Sequence, residues 1–169
     1  GALKCRGIKY ELVERAAEVG SSWRRHYDRL RLHTIRSLSH LPYMPFDSEV
    51  SGYPSRDEMI GYLEKYASEM SIKPRFNVDI GSIINEHGCW VASAAEAQYR
   101  SKYLVMATGY NRLPNIPEWE HMAAFSGSWL HSSDYRNSEA YKGLRVLVIG
   151  IGNSGAEIAL DLVGSAASV

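Results

Sequence analysis

The feature that most constrains this chain is one stretch near its end, residues 145–162, RVLVIGIGNSGAEIALDL. A short apolar run, residues 146–149, ends in Gly150-Ile151-Gly152-Asn153-Ser154-Gly155 and passes into a segment with apolar residues at Ala156, Ile158, Ala159 and Leu162. A β-rich run, a glycine turn and helical spacing, in that order, predict strand, turn and helix. Each glycine has its own task in such a unit. Gly150 makes the tight turn, Gly152 lets backbone approach a pyrophosphate, and Gly155 lets helix and strand pack closely. The helix N-terminus then faces the phosphates, its free N–H groups and dipole favouring negative charge. A glycine turn can also serve packing alone, but the strand–turn–helix setting favours dinucleotide binding. The residue that separates NAD from NADP falls about 20 positions further on, beyond Val169, so the turn leaves that choice open.

The rest of the chain narrows the class. Its 169 residues suffice for one core or for pieces of two domains. The 19 basic and 19 acidic side chains cancel, which argues against nucleic acid and against an anionic membrane surface as partners. No run approaches transmembrane length, and no charged-then-apolar signal opens the chain. Cys5 and Cys89 fit neither a redox CxxC nor a metal-ligand spacing. They read as reduced structural thiols, with no metal and a cytoplasmic location expected.

Taken in order, residues 1–7 read as the last turns of a helix closed by Gly7, and residues 8–13 as a strand ending at Glu14. Glu14 is either the acid that accepts the ribose hydroxyls of a first dinucleotide or an ordinary surface glutamate. Gly20-Ser21-Ser22-Trp23 opens an aromatic and basic cluster that either lines a cofactor or packs as a loop. Residues 30–46, with Pro42 and Pro45 and no period, are expected to be loop. Ser55 with Glu58 is a capping box, and Met59, Leu63, Tyr66, Ala67 and Met70 form the apolar face of the helix it starts, opposite a solvated face of Asp57, Glu64, Lys65 and Glu69. Residues 76–84, 89–93 and 99–106 read as three strands, with turns at Glu86-His87-Gly88 and around residues 94–97. Strands in sequence without helices between them suggest a small antiparallel sheet inserted into an α/β domain. Pro114 and Pro117 then stiffen a crossover between domains.

Phe125-Ser126-Gly127-Ser128-Trp129-Leu130-His131-Ser132-Ser133-Asp134-Tyr135 carries the pattern FxGxxxHxxxY at every fixed position, upstream of the GxGxSG turn. Ala107-Thr108-Gly109 with Pro114 and Pro117 is similar to an ATG…PxxP hinge. In these motifs the chain resembles the flavin-containing monooxygenases. Glu14-Arg15, Gly20 to Trp23, Tyr27-Asp28-Arg29-Leu30 and Tyr53-Pro54-Ser55-Arg56 resemble the FAD-contacting segments of that family, with a particular likeness to its plant YUCCA branch and bacterial relatives.

The resemblance implies an α/β fold of two nested Rossmann-like dinucleotide-binding domains, both incomplete, with the antiparallel sheet as an insertion. Residues 1–113 would be a partial FAD-binding domain lacking its first strand and GxGxxG, and residues 114–169 a partial NADPH-binding domain. The chain is therefore expected to be an internal fragment that holds FAD poorly and is marginally stable, with an unpaired sheet edge. The implied reaction consumes NADPH and O2 and passes one oxygen atom to a small organic substrate through a flavin hydroperoxide, the cofactors supplying the chemistry. By the same resemblance Glu14, Arg15, Ser22, Trp23, Thr108 and Gly109 lie against FAD or its hinge. Gly150, Gly152, Asn153, Ser154 and Gly155 take the NADPH pyrophosphate, and Phe125, Gly127, His131 and Tyr135 shape the nicotinamide side. Thr34-Ile35 departs from the asparagine of the amine-oxidising members, and Tyr135-Arg136 from the tryptophan of the Baeyer–Villiger relatives. The first departure points to the YUCCA-like branch, and the second argues against lactone formation. The competing reading is a non-catalytic dinucleotide-binding remnant. A disulfide reductase would need a CxxC.

Overall fold

The computed structural model describes residues 1–110 and 113–169. Residues 111 and 112, at the edge of the expected domain boundary, lie outside them. Helix α1, Ala2–Cys5, ends at Arg6 and Gly7, whose φ of 66° supplies the left-handed closure expected of a terminal glycine. Helix α2, Ser21–Arg24, starts from Gly20, also left-handed, so the segment is one helical turn and not the packed loop that is one of its two readings.

Helix α3, Arg36–Ser39, is one turn inside the 30–46 segment, which is otherwise irregular as expected. Helix α4, Arg56–Glu69, carries the predicted capping box. The Ser55 side chain accepts from the Glu58 N–H, and Glu58 accepts from the Ser55 N–H at 2.7 Å. Its buried face differs from the periodic reading by one position. Met59, Ile60, Tyr62 and Tyr66 are buried, while Leu63, Ala67 and Met70 are half-buried. The loop in front of the helix accounts for the rotation, because Tyr62 Oη accepts from the Leu41 N–H and donates to the Met44 carbonyl, both at 2.7 Å, and Tyr66 Oη donates to the Pro42 carbonyl. Phe46 lies 4.0 Å from the Tyr62 ring. The charged face is not simply solvated, since Glu64 pairs with Arg24 and Lys65 with Asp47.

Strands β1, Ile80–Glu86, β2, Cys89–Ala94, and β3, Gln98–Ser101, form one antiparallel sheet in the order β1-β2-β3. His87 and Gly88 both have positive φ, the conformation of a two-residue type I′ turn whose twist matches the strands it joins. Strand β1 begins later than expected, and β3 stops at Ser101 rather than Met106.

Three expected strand segments are extended but unladdered. Residues 8–13 make one parallel bridge, Val13 to Arg75, and residues 146–149 follow another, Arg145 to Ser168. Residues 102–106 belong to neither a strand nor a bridge. A strand is defined by pairing along its length, and among the described residues these runs have no parallel neighbour to supply it. In residues 146–149 the side chains nevertheless alternate as in a strand. Val146 and Val148 pack on the core while Leu147 and Ile149 are 83% and 68% exposed. Helix α5, Asn153–Leu162, follows the glycine turn as predicted. Its Ile158 and Leu162 join Tyr27 and Tyr135 in a buried cluster flanked by Leu30, Tyr141, Val146, Val148 and Ala166.

Candidate functional site

The glycine turn shows which glycines the protein itself requires. Gly150 has a φ of 108°, a conformation in which a side chain is strained. A Cβ on Gly155 would stand 2.2 Å from the Gly150 carbonyl oxygen, so the first turn of α5 can close on the loop only without one. Gly152 is different. It has an ordinary φ of −68°, and a Cβ there would meet nothing within 4 Å. Nothing among the described residues demands glycine at that position, while the approach of a ligand would. Gly152 is also the N-cap of α5, and no side chain caps the helix, so the N–H groups of its first turn face solvent beside exposed Asn153 and Ser154. The donor set therefore fits a pyrophosphate.

The far side of α5 is tied to two other segments. Glu157 and Asp161 stand one turn apart, on one face of the helix. Glu157 Oε2 accepts from Tyr27 Oη at 2.8 Å, and its Oε1 lies 2.6 Å from His33 Nε2. Asp161 Oδ2 accepts from Tyr135 Oη at 2.6 Å. Tyr27 and Tyr135 meet edge to face at 6.2 Å, and Tyr135 stacks on Tyr141 at 5.5 Å. Burial, with the hydrogen bond to a carboxylate, pushes both phenols well above the usual tyrosine range, so each stays a neutral donor.

A second set of contacts locks the 131–137 segment to the 24–28 segment. The Arg136 guanidinium donates to the carbonyls of Arg24 and His26, and the Asp28 N–H donates to the Arg136 carbonyl at 2.8 Å. Asp28 accepts from Asn137 at 2.9 Å and from Arg56. Those bonds, led by the one from Asn137, hold its carboxyl below the usual range. His26 is pushed down by burial and by Arg25 and Arg136.

Of the residues expected from the sequence, Tyr135 is buried in this junction, and Gly150 to Gly155 form the turn. A Cβ on Gly127 would stand 2.6 Å from the tip of the Phe125 ring, a side chain free to swing aside, so this contact alone does not require glycine. Phe125 itself is exposed. His131 Nδ1 accepts from the Ser133 N–H at 3.1 Å, which leaves Nε2 as the ring donor. Glu14 is exposed, and its carboxylate accepts from the Ala16 N–H at 2.8 Å, closing the bend after the 8–13 run. Arg15, Ser22, Thr108 and Gly109 are exposed and Trp23 half-buried. None of these five is brought to the α5 junction. Sequence reading missed the pairing roles of Glu157, Asp161, His33 and Asn137. The one available signal was the pair of acids spaced i, i+4 on an otherwise mostly apolar helix. Among the described residues no His, Cys, Asp and Glu cluster could hold a metal, both cysteines are free, and no helix is long and apolar enough to cross a membrane.

An open glycine turn on an uncapped helix, in a Rossmann-like chain carrying a small antiparallel sheet, has the form of a dinucleotide-binding α/β fold. The chain belongs to the pyridine nucleotide-disulphide oxidoreductase family, whose profile matches residues 1–169. It is 40% identical over 178 residues to the indole-3-pyruvate monooxygenase YUCCA4 of Oryza sativa subsp. japonica, covering 95% of this chain and 40% of that protein. It is 38% identical to the probable indole-3-pyruvate monooxygenase YUCCA7 of Arabidopsis thaliana, covering 98% of this chain and 41% of that one. A mutant of the flavin monooxygenase from Stenotrophomonas maltophilia superposes over all of this chain and 52% of its own, with a TM-score of 0.92 and 26% identity. The chain thus spans about two fifths of the curated relatives it matches. Those relatives are monooxygenases, as the FxGxxxHxxxY resemblance implied.

Proposed function

We propose that this chain is part of an FAD- and NADPH-dependent monooxygenase that transfers one oxygen atom from O2 to a small organic acid. The observation that carries the reading is Gly152, a glycine that nothing among the described residues requires, at the head of an uncapped helix. In this reading Gly150, Gly152, Asn153, Ser154 and Gly155 take the NADPH pyrophosphate on backbone N–H groups. Phe125, Gly127, His131 and Tyr135 border the nicotinamide, with the His131 Nε2 proton available to a ligand group. Glu14, Arg15, Ser22, Trp23, Thr108 and Gly109 serve FAD, across two nested domains divided near residue 113. When bound, the two cofactors supply the reducing electrons and the oxygen-transfer chemistry. The chain orients them and excludes water through the apolar junction of Tyr27, Tyr135, Ile158 and Leu162. The likeness to indole-3-pyruvate monooxygenases, with Thr34-Ile35 in place of an asparagine, supports a 2-oxo acid such as indole-3-pyruvate as substrate.

Calorimetric titration of the purified protein with NADP+ tests the reading. Saturable binding is expected, and Gly152→Asp, which puts a carboxylate where the phosphates would sit, is expected to abolish it without lowering the melting temperature. A folded wild-type protein that fails to bind NADP+ overturns the reading. Oxygen-dependent NADPH oxidation in the FAD-supplemented protein, stimulated by indole-3-pyruvate and not by a tertiary amine, is the expected activity.

A further inference from the structure

We propose that Glu157 is a positioning residue for the dinucleotide turn, acting through Tyr27 and His33 to hold the front of α5 against the 21–33 segment. The inference rests on the reading that Gly150 to Gly155 takes NADPH. A phosphate held by backbone N–H groups needs those groups fixed to within roughly 0.5 Å, so whatever fixes the first turn of α5 sets affinity. Little in the turn itself does so. Cβ positions at Gly150 and Gly152 face open space, and Ile149, Ile151, Gly152, Asn153 and Ser154 are exposed. The supports lie on the opposite face. Asp161, bonded to Tyr135, anchors the back of the helix, while Glu157, one turn past Asn153, anchors the front.

The Glu157 anchor is built from two directions. Each carboxylate oxygen takes a different partner, Tyr27 Oη at 2.8 Å and His33 Nε2 at 2.6 Å, so the group can neither rotate nor slide without losing one. Tyr27 is 4% exposed, and its hydroxyl would be left without its acceptor if the carboxylate were removed. Electrostatics alone would argue against this residue. A carboxylate near the N-terminal half of a helix that receives phosphates repels them and opposes the dipole's contribution to binding. An acid kept in that place, and doubly bonded, contributes by geometry.

The two effects have opposite signs, which makes them separable. With NADP+ as the calorimetric probe, Glu157→Ala is expected to weaken binding by about tenfold even though it removes a repulsive charge. Glu157→Gln, which keeps the shape and can still accept from Tyr27 and reach His33 Nε2, is expected to stay within about threefold of wild type. Tyr27→Phe and His33→Ala are each expected to weaken binding by less than Glu157→Ala and to add little to it in the double variants. In the FAD-supplemented protein the loss should appear in the KM for NADPH with kcat little changed. Wild-type affinity in Glu157→Ala would overturn the proposal, as would Glu157→Gln losing as much as Glu157→Ala, since the carboxamide keeps the shape and both partners that the proposal relies on. If Glu157→Ala fails to fold, Tyr27→Phe and His33→Ala decide, and wild-type affinity in both overturns it. Failure of the wild-type protein to bind NADP+ at all is a different result, which strikes the dinucleotide reading itself.

Discussion

Helices α4 and α5 begin in opposite ways. At the head of α4 the chain closes its own helix. Ser55 and Glu58 cap each other, and Glu58 also accepts from the Ser51 N–H and hydroxyl at 2.8 and 2.6 Å. The Ser55 and Glu58 N–H groups go to side chains, and the Arg56 N–H goes to the Leu30 carbonyl at 2.8 Å. At the head of α5 a glycine stands where a capping side chain would go, and the first-turn N–H groups are open. Sealing an end stabilises the fold, by about 1 kcal/mol for a serine cap. Leaving it open forgoes that and, in the proposed function, provides the phosphate site. On that reading the contrast separates a helix end that serves stability from one that serves binding.

Substitutions can break this contrast from either side. The largest effect is expected at Gly155. Alanine there meets the Gly150 carbonyl oxygen at 2.2 Å, a backbone atom that can move only with the whole turn. Gly155→Ala should therefore destabilise the protein by about 3 kcal/mol, typical of severe overpacking, and remove NADP+ binding, as read by thermal melting and calorimetry. Next comes Ser55→Ala at the sealed helix, expected to cost about 1–2 kcal/mol with NADP+ affinity unchanged. A loss of affinity there would show that the two helix heads are coupled.

Acid should find the same seal. Partial burial pushes the Glu58 carboxyl up, but the hydrogen bonds from Ser51 and Ser55 outweigh it and hold it down to about 2. A carboxylate with a depressed folded-state pKa contributes stability that is fully present above its ordinary value near 4.5 and is lost as pH falls toward 2. Melting temperatures between pH 6 and pH 2 should fall more steeply for wild type than for Glu58→Gln. The smallest effect is expected from Gly152→Ser, which gives α5 the cap it lacks. A gain of a few tenths of a kcal/mol should accompany weaker NADP+ binding, and tighter binding would mean that the open end is not the phosphate site.

How much of this was legible in the sequence depended on range. Features settled within a few residues were readable: the Ser55–Glu58 box, Gly7, the turn at His87 and Gly88, and the glycine turn before α5. The buried face of α4 was misread by one position because partners outside the helix, the carbonyls of Pro42 and Met44, decide where Tyr62 and Tyr66 point. The runs at 8–13, 102–106 and 146–149 have strand composition, but a ladder belongs to a pair of segments, and composition reports only one of them. The phenol–carboxylate pairs of Tyr27 with Glu157 and Tyr135 with Asp161 join distant parts of the chain. The i, i+4 spacing marks the two acids but says nothing of their partners. The family motif pointed to Tyr135 without saying what it holds.

The two kinds of pairing in this molecule also set an order in time. Strands β1, β2 and β3 are sequence neighbours, and a two-residue turn joins the first pair, so little chain entropy is lost in bringing them together. The parallel bridges from Val13 to Arg75 and from Arg145 to Ser168 must each close a loop that contains helix, α2 to α4 in one case and α5 in the other. Closure of that kind is slow and is rewarded only at the end. In pulse-labelling hydrogen exchange during refolding, amides of β1 to β3 should be protected before those of Glu14 and Val146, whose N–H groups reach Arg75 and Ser168. The insertion would then act as the early scaffold, and the nucleotide turn would be among the last parts of the chain to take shape.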